Sequence, residues 1–134
     1  MTLELLSKKF TIEEGRRLNP LVMAFVGDAV YELAIRNYLV GKNTELSAHK
    51  LHINAISYVK AHAQSEAMKA IMEKLNNEEL SIYKRGRNTK SNTVPKNADV
   101  QEYRVATGFE ALIGFLYLTD QEDRLNEIIH MVIR

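Results

Sequence analysis

The spacing of apolar positions along the chain has helical period almost throughout, and no stretch keeps the alternation of a half-buried strand. The periodicity predicts helices over 20–40, 46–62, 64–75, 77–86 and 99–118, with a last one through "DRLNEIIHMVIR". Polar punctuation supports these limits. Asn19-Pro20 places a capping side chain and then a proline where a first helical turn accepts them. Thr11 with Glu14, and Thr119 with Glu122, have capping-box spacing, and Gly41 is placed to end the first long helix. The expected class is all-α. With 134 residues the chain has material for one real core and too little for two ordinary ones, so a single domain over 1–134 is expected.

Two of these helices lack a polar face. In "LVMAFVGDAVYELAIR", Leu21 to Arg36, Asp28 is flanked at 100° per residue by Leu21, Ala24, Phe25, Tyr31, Glu32 and Ile35. Met23, Val26, Val30 and Leu33 lie opposite. In "ATGFEALIGFLYL", Ala106 to Leu118, Glu110 stands among Tyr103, Ala106, Thr107, Ile113, Gly114 and Tyr117. A helix apolar all round is usually buried, and a carboxylate there is costly unless a cation, a metal or several donors hold it. The two helices are expected to pack together and bring Asp28 and Glu110 into contact, with Gly27, Gly108 and Gly114 permitting close approach.

One segment departs from the helical pattern. "RGRNTKSNTVPKNAD" combines glycine, proline, asparagines and hydroxyl residues with basic ones, and a basic loop over about 85–98 is expected. Such a length is unusual between packed helices and is commonly functional.

Composition narrows the classes of function. The 18 basic and 17 acidic residues nearly cancel, so a nucleic-acid signal has to come from local clustering. That clustering lies at the loop, where Lys84, Arg85, Arg87, Lys90, Lys96 and Arg104 face only Asp99 and Glu102. Basic side chains interleaved with amide and hydroxyl donors grip phosphate backbones without reading sequence. The chain has no cysteine, which excludes disulfides and thiol nucleophiles and fits a reducing compartment. No charged head followed by an apolar run marks a signal peptide at the N-terminus, and the longest uncharged apolar run, Ala111 to Leu118, is far short of a membrane span. A soluble, cytoplasmic protein without a membrane partner is expected.

Two carboxylates meeting across a helix contact suit Mg²⁺, which takes one or two protein carboxylates, keeps several waters and binds substrate phosphate. The chemistry would be metal-assisted phosphodiester hydrolysis. The residues leave open that Arg36 or Arg104 neutralises each acid instead. Glu32, one turn beyond Asp28, is either an outer acceptor for that site or an exposed acid. His49 and His52 have i, i+3 spacing with no third ligand nearby, and His62 stands apart. The tyrosines suit the core better than base stacking.

"FVGDAV", Phe25 to Val30, together with "FEALIGFLYL", Phe109 to Leu118, resembles the ribonuclease III catalytic domain. That family's signature helix ends in Phe-Leu-Gly-Asp, and its second catalytic helix reads Asp-x-x-Glu-Ala-x-x-Gly-x-x-Tyr-Leu. The likeness is closest to the mini-ribonuclease III branch, suggested also by "KRGRNTKSNTVPKNADVQEYRVATGFEALIGFLYLT", and covers roughly residues 15 to 134. It implies that Asp28 and Glu110 are the catalytic metal ligands. Two family acids are replaced here, by Ala24 and Thr107, leaving Thr107 at most an outer contact of the metal site. The resemblance further implies a homodimeric, Mg²⁺-dependent endonuclease for double-stranded RNA, with Mn²⁺ as a possible substitute. The branch's usual task is maturation of the large-subunit (23S) ribosomal RNA precursor, and a ribosomal protein could present that RNA. Family members continue into a double-stranded-RNA-binding domain, so this nuclease domain is expected to hold RNA alone. The apolar face around Met23, Val26 and Val30 is the expected dimer surface. The alternative is a non-catalytic module of the same fold that binds RNA or ribosomal protein.

Overall fold

The longest helices of the chain pack on a nearly sidechain-free contact made by their own glycines. The computed structural model describes residues 4–90, 94, 96 and 98–133. Its helices are α1 (Glu4–Ser7), α2 (Ile12–Arg16), α3 (Pro20–Lys42), α4 (Ala48–Val59), α5 (Ala61–Ile71), α6 (Asn77–Asn88), α7 (Val100–Leu118) and α8 (Glu122–Ile133), with a 3₁₀ turn at Met72–Lys74. No strand occurs among the described residues, as the hydrophobic period predicts.

Polar side chains start most of these helices. Thr11 and Glu14 form the expected capping box, bonding each other's backbone N–H at 3.1 and 2.9 Å. Asn19 accepts from Leu21 N–H at 2.8 Å ahead of Pro20. Asp99 opens α7 by accepting from Glu102 N–H at 3.1 Å. A second box, Asn76 with Glu79, starts α6 and is not among the expected ones.

Several boundaries differ from expectation: the break between the helices expected over 46–62 and 64–75 falls at Lys60, so His62 belongs to α5, and three further changes stand out. Gly41 does not end α3: the helix runs through Lys42, and Asn43 closes it by donating to the Leu39 carbonyl at 3.1 Å. The expected stop presumed a left-handed glycine, and no glycine among the described residues has positive φ. Thr119 does not cap α8. It is buried, and its hydroxyl donates to the Phe115 carbonyl at 2.6 Å, so it closes α7 while Asp120 makes the turn with φ 59°. The basic segment is shorter than a loop over 85–98. Arg85, Gly86, Arg87 and Asn88 are the last turn of α6, closed by Thr89 N–H on the Arg85 carbonyl at 3.1 Å. Of the rest of that segment, residues 91–93, 95 and 97 lie outside the described residues.

The core is organised around α7, which packs against α3, α5, α6 and α8. Its Phe109, Leu112, Ile113 and Leu116 are fully buried, and Phe109 meets Tyr31 of α3 edge to face, with ring centroids 5.0 Å apart. Tyr31 is itself in the core, where burial pushes its phenol up to about 12.

A buried ion pair ties α6 to α8. Glu79 is 1% exposed and accepts two hydrogen bonds from Arg124, at 2.8 and 2.9 Å, while the same guanidinium reaches the Lys74 carbonyl at 2.7 Å. Burial raises the Glu79 carboxyl, but the Arg124 bonds, the Asn76 N–H and the Arg124 charge outweigh it and leave the carboxyl below its ordinary range.

The approach of α3 to α7 is closer than side chains permit. A Cβ on Gly27 would lie 1.8 Å from the Glu110 carbonyl oxygen, and one on Gly114 would lie 1.9 Å from the Met23 carbonyl oxygen. Both obstacles are backbone, which cannot swing aside. Gly27→Ala or Gly114→Ala should therefore destabilise the fold by about 3 kcal/mol or more, the upper end of overpacking costs. Gly41→Ala, with nothing within 4 Å, should be neutral or slightly stabilising. Urea unfolding of the three variants measures this, and a Gly27→Ala midpoint equal to wild type would refute the close approach.

Candidate active site

The glycine contact sets where the two isolated carboxylates fall. Asp28 follows Gly27 on α3, and Glu110 is the residue whose carbonyl lies against Gly27. The crossing brings the two side chains together, as the hydrophobic pattern predicts. Their burial differs from the expectation. Asp28 is exposed at the rim, while Glu110 is partly buried beneath it. The reason is that only one side of α3 is covered: Met23, Tyr31 and Ile35 point into the core, whereas Val22, Phe25, Leu33 and Val40 are exposed.

Burial is the largest influence on Glu110, with the neighbouring Asp28 charge next, and together they push its carboxyl up to about 8. One hydrogen bond from Gln64 acts in the opposite direction. None of the groups acting on Glu110 is a cation. Arg36, one of the two basic candidates for neutralising the acids, pairs with Glu32 at 3.3 Å. Glu32 thus faces its own helix neighbour as an i, i+4 partner. Two close carboxylates, one of them driven toward its neutral form by the other, are what a divalent cation would relieve. The donor set fits a hard, oxygen-preferring ion such as Mg²⁺.

Gln64 is the residue that sequence reasoning missed. It lies on α5, is 2% exposed, and its Nε2 donates to the Val59 carbonyl at 2.9 Å and to Glu110 Oε2 at 3.2 Å. Its Oε1 is buried with no hydrogen-bond partner among the described residues. A signal existed: Ala61, Gln64, Met68 and Ile71 have core spacing, and an amide at such a position needs a polar partner.

The other candidates have varied places. Ala24 is buried, and the Thr107 hydroxyl turns back to donate to the Tyr103 carbonyl at 2.9 Å. Arg85 is not on a loop: its guanidinium donates to the Arg16 and Leu18 carbonyls, at 2.8 and 3.2 Å, tying α6 to the chain before α3. Arg87 lies 5.5 Å from the centre of the Tyr83 ring and donates to the Asn88 side chain at 3.0 Å. Lys84, Lys90, Lys96 and Arg104 are exposed. His49 and His52 are exposed on α4.

Known proteins resemble the chain over most of its length. The Ribonuclease III domain family matches residues 21–121. Mini-ribonuclease 3 of Clostridium tetani is 52% identical over 128 residues, covering 96% of this chain and 85% of that protein. Mini-ribonuclease 3 of Enterococcus faecalis is 51% identical over 125 residues, with 92% and 94% covered. The X-ray crystal structure of a Fusobacterium nucleatum protein superposes with a TM-score of 0.79 at 37% identity, covering 88% of this chain and 93% of that one.

The raised Glu110 carboxyl carries a pH signature. Folded Glu110 keeps its proton to about pH 8, while the unfolded chain releases it near the ordinary 4.5. Between those values the folded state binds more protons, so stability falls as pH rises. In metal-free buffer wild type should lose melting temperature across this window relative to Glu110→Gln, which cannot titrate there. The variant should be the more stable at pH 8, with the gap narrowing towards pH 5. A gap that does not change with pH would contradict the assignment.

Proposed function

The chain belongs to the ribonuclease III family, and from that premise we propose that it severs double-stranded RNA with Asp28 and Glu110 as the catalytic pair, acting as a Mg²⁺-dependent homodimer. As an endoribonuclease of the ribonuclease III type it hydrolyses phosphodiester bonds. The observation that carries the residue assignment is Glu110: a carboxyl pushed up by burial and by Asp28, with no cation acting on it. A structural acid in this fold looks different, as Glu79 on Arg124 shows.

In the proposed mechanism Asp28 and Glu110 would hold the ion, with Mn²⁺ a possible replacement. When bound, such an ion activates a water and offsets charge on phosphate oxygens. The protein supplies the geometry. Gln64, locked by the Val59 carbonyl, fixes the rotation of the Glu110 carboxylate. Asp28 at the exposed rim is where a phosphodiester arrives without the protein opening. With Ala24 and Thr107 in place of the family's other acids, Asp28 and Glu110 would be the only carboxylates left of that set to hold the ion, and would hold it more weakly.

The exposed cations Lys84, Lys90, Lys96 and Arg104, with Arg87, would grip duplex phosphates on either side of the cut. Arg85 can contribute to that grip only by giving up its carbonyl partners, so its part is to hold α6 in place. The dimer surface proposed is the outer stripe of α3, with Val22, Phe25 (80% exposed), Leu33 and Val40. Met23, fully buried, cannot belong to that surface, contrary to the expectation from the helical period, and Val26 and Val30 are only partly exposed. A two-fold axis there would present one Asp28–Glu110 pair to each antiparallel RNA strand. The substrate we propose is the large-subunit (23S) ribosomal RNA precursor, cut in the cytoplasm and presented by a ribosomal protein.

One assay on a radiolabelled duplex tests these parts. Wild type with Mg²⁺ should cut both strands. Asp28→Asn and Glu110→Gln should lose cleavage by about 10³-fold or more, as expected when an ion-holding group is removed from a transition state, while keeping the fold. Phe25→Glu should sediment as a monomer and lose paired cuts. Neutralising Lys84, Arg87 and Lys90 together should flatten the salt dependence of duplex binding by about 0.7 to 0.9 log units for each phosphate left unneutralised. Duplex binding without cleavage in any divalent ion would instead support the non-catalytic module.

A further inference from the structure

Outside the Asp28–Glu110 pair, one group of side chains has the composition of a metal centre. His62 and Glu66 are one turn apart on α5, so both project from the same side of that helix. Glu102 comes from the first turn of α7, its backbone N–H fixed on the Asp99 cap at 3.1 Å. Ligand atoms of the three residues lie within 4.8 Å of one another. His62 Nδ1 is already paired with Glu102 Oε2. Glu66 completes the triangle from the same face of α5 as His62 and is also 3.3 Å from the exposed Lys69.

We infer that His62, Glu66 and Glu102 form a second divalent-cation site, selective for zinc-class ions, that joins the start of α5 to the start of α7. One imidazole and two carboxylates, with a fourth position left to water, are a donor set that suits Zn²⁺ and that Mg²⁺ avoids. An ion bonded at about 2.1 Å to each ligand needs ligand atoms about 3.4 Å apart. All three side chains reach this by small rotations, because His62 and Glu66 are exposed and Glu102 is half-buried. His62 and Glu66 also border a groove of about 440 Å³ that Glu102 does not line, so solvent reaches both α5 ligands.

The site is separate from the catalytic pair. Glu102 and Glu110 are eight residues apart on α7, about 12 Å along the helix axis, and buried Ala106 stands between them. Its location gives it a role. Glu102 begins α7 just after the basic segment, so an ion here would fix the end of that segment against α5.

The test is a calorimetric titration of the metal-free full chain with ZnCl₂ alone. Wild type should show two classes of site. Asp28→Asn combined with Glu110→Gln should remove one class. His62→Ala combined with Glu66→Gln should remove the other, and so should Glu102→Gln, which acts from the opposite helix. Zinc should raise the melting temperature of wild type by more than that of the last two variants, which keep only the Asp28–Glu110 class and should still cut duplex RNA in Mg²⁺. The inference fails if those two variants bind zinc as wild type does, or if wild type has only the class that the Asp28 and Glu110 substitutions remove.

Discussion

The contact between Gly27 and Gly114 is the constraint from which the site follows. Two helices that meet through side chains stand about 8 to 10 Å apart, whereas glycines let their backbones touch. Here the Glu110 and Met23 carbonyls occupy the space where Cβ atoms would be. Asp28, next to Gly27, and Glu110, one turn before Gly114, then fall at the edge of the contact. Asp28 and Glu110 are brought together by packing, against their mutual repulsion. The helical cost of each glycine, about 1 kcal/mol against alanine, is spent on this approach.

The same fold handles two acids in opposite ways. Glu79 is only 1% exposed, yet its carboxyl stays below the ordinary range, since Arg124 supplies charge and two hydrogen bonds. Glu110 receives an amide from Gln64 and an anion from Asp28, and its carboxyl rises. An acid left without a cation beside a second acid is the basis of the proposed ion site. Gln64 suits such a place because a neutral amide orients a carboxylate without competing for its charge.

The outer surface has its own division. The inward sector of α3 supplies Met23, Tyr31 and Ile35 to the core, and the outward sector exposes Phe25 and Leu33. No helix among the described residues is long and apolar enough to cross a membrane. Across the molecule, α5 meets α7 at two levels: Gln64 on Glu110 near the middle of α7, and His62 on Glu102 at its beginning. One short helix therefore touches both the proposed catalytic pair and the end of the basic segment.

The sequence alone determined the main helices, two of their caps, the two isolated carboxylates and the basic segment, because each depends on residues within a few positions of one another. Hydrophobic period states the angle of a side chain about its own helix axis. It does not state which sector a neighbour will cover, and so it puts Met23 and Asp28 on the wrong sides of the surface. Partners distant along the chain are equally hidden. Gln64 on Glu110, Arg85 on the Arg16 and Leu18 carbonyls, Arg124 on Glu79 and His62 beside Glu102 all join separate helices. Only the packing of α3, α5, α6 and α8 around α7 decides those pairs, since they are fixed by the relative placement of helices and by no local preference of the chain.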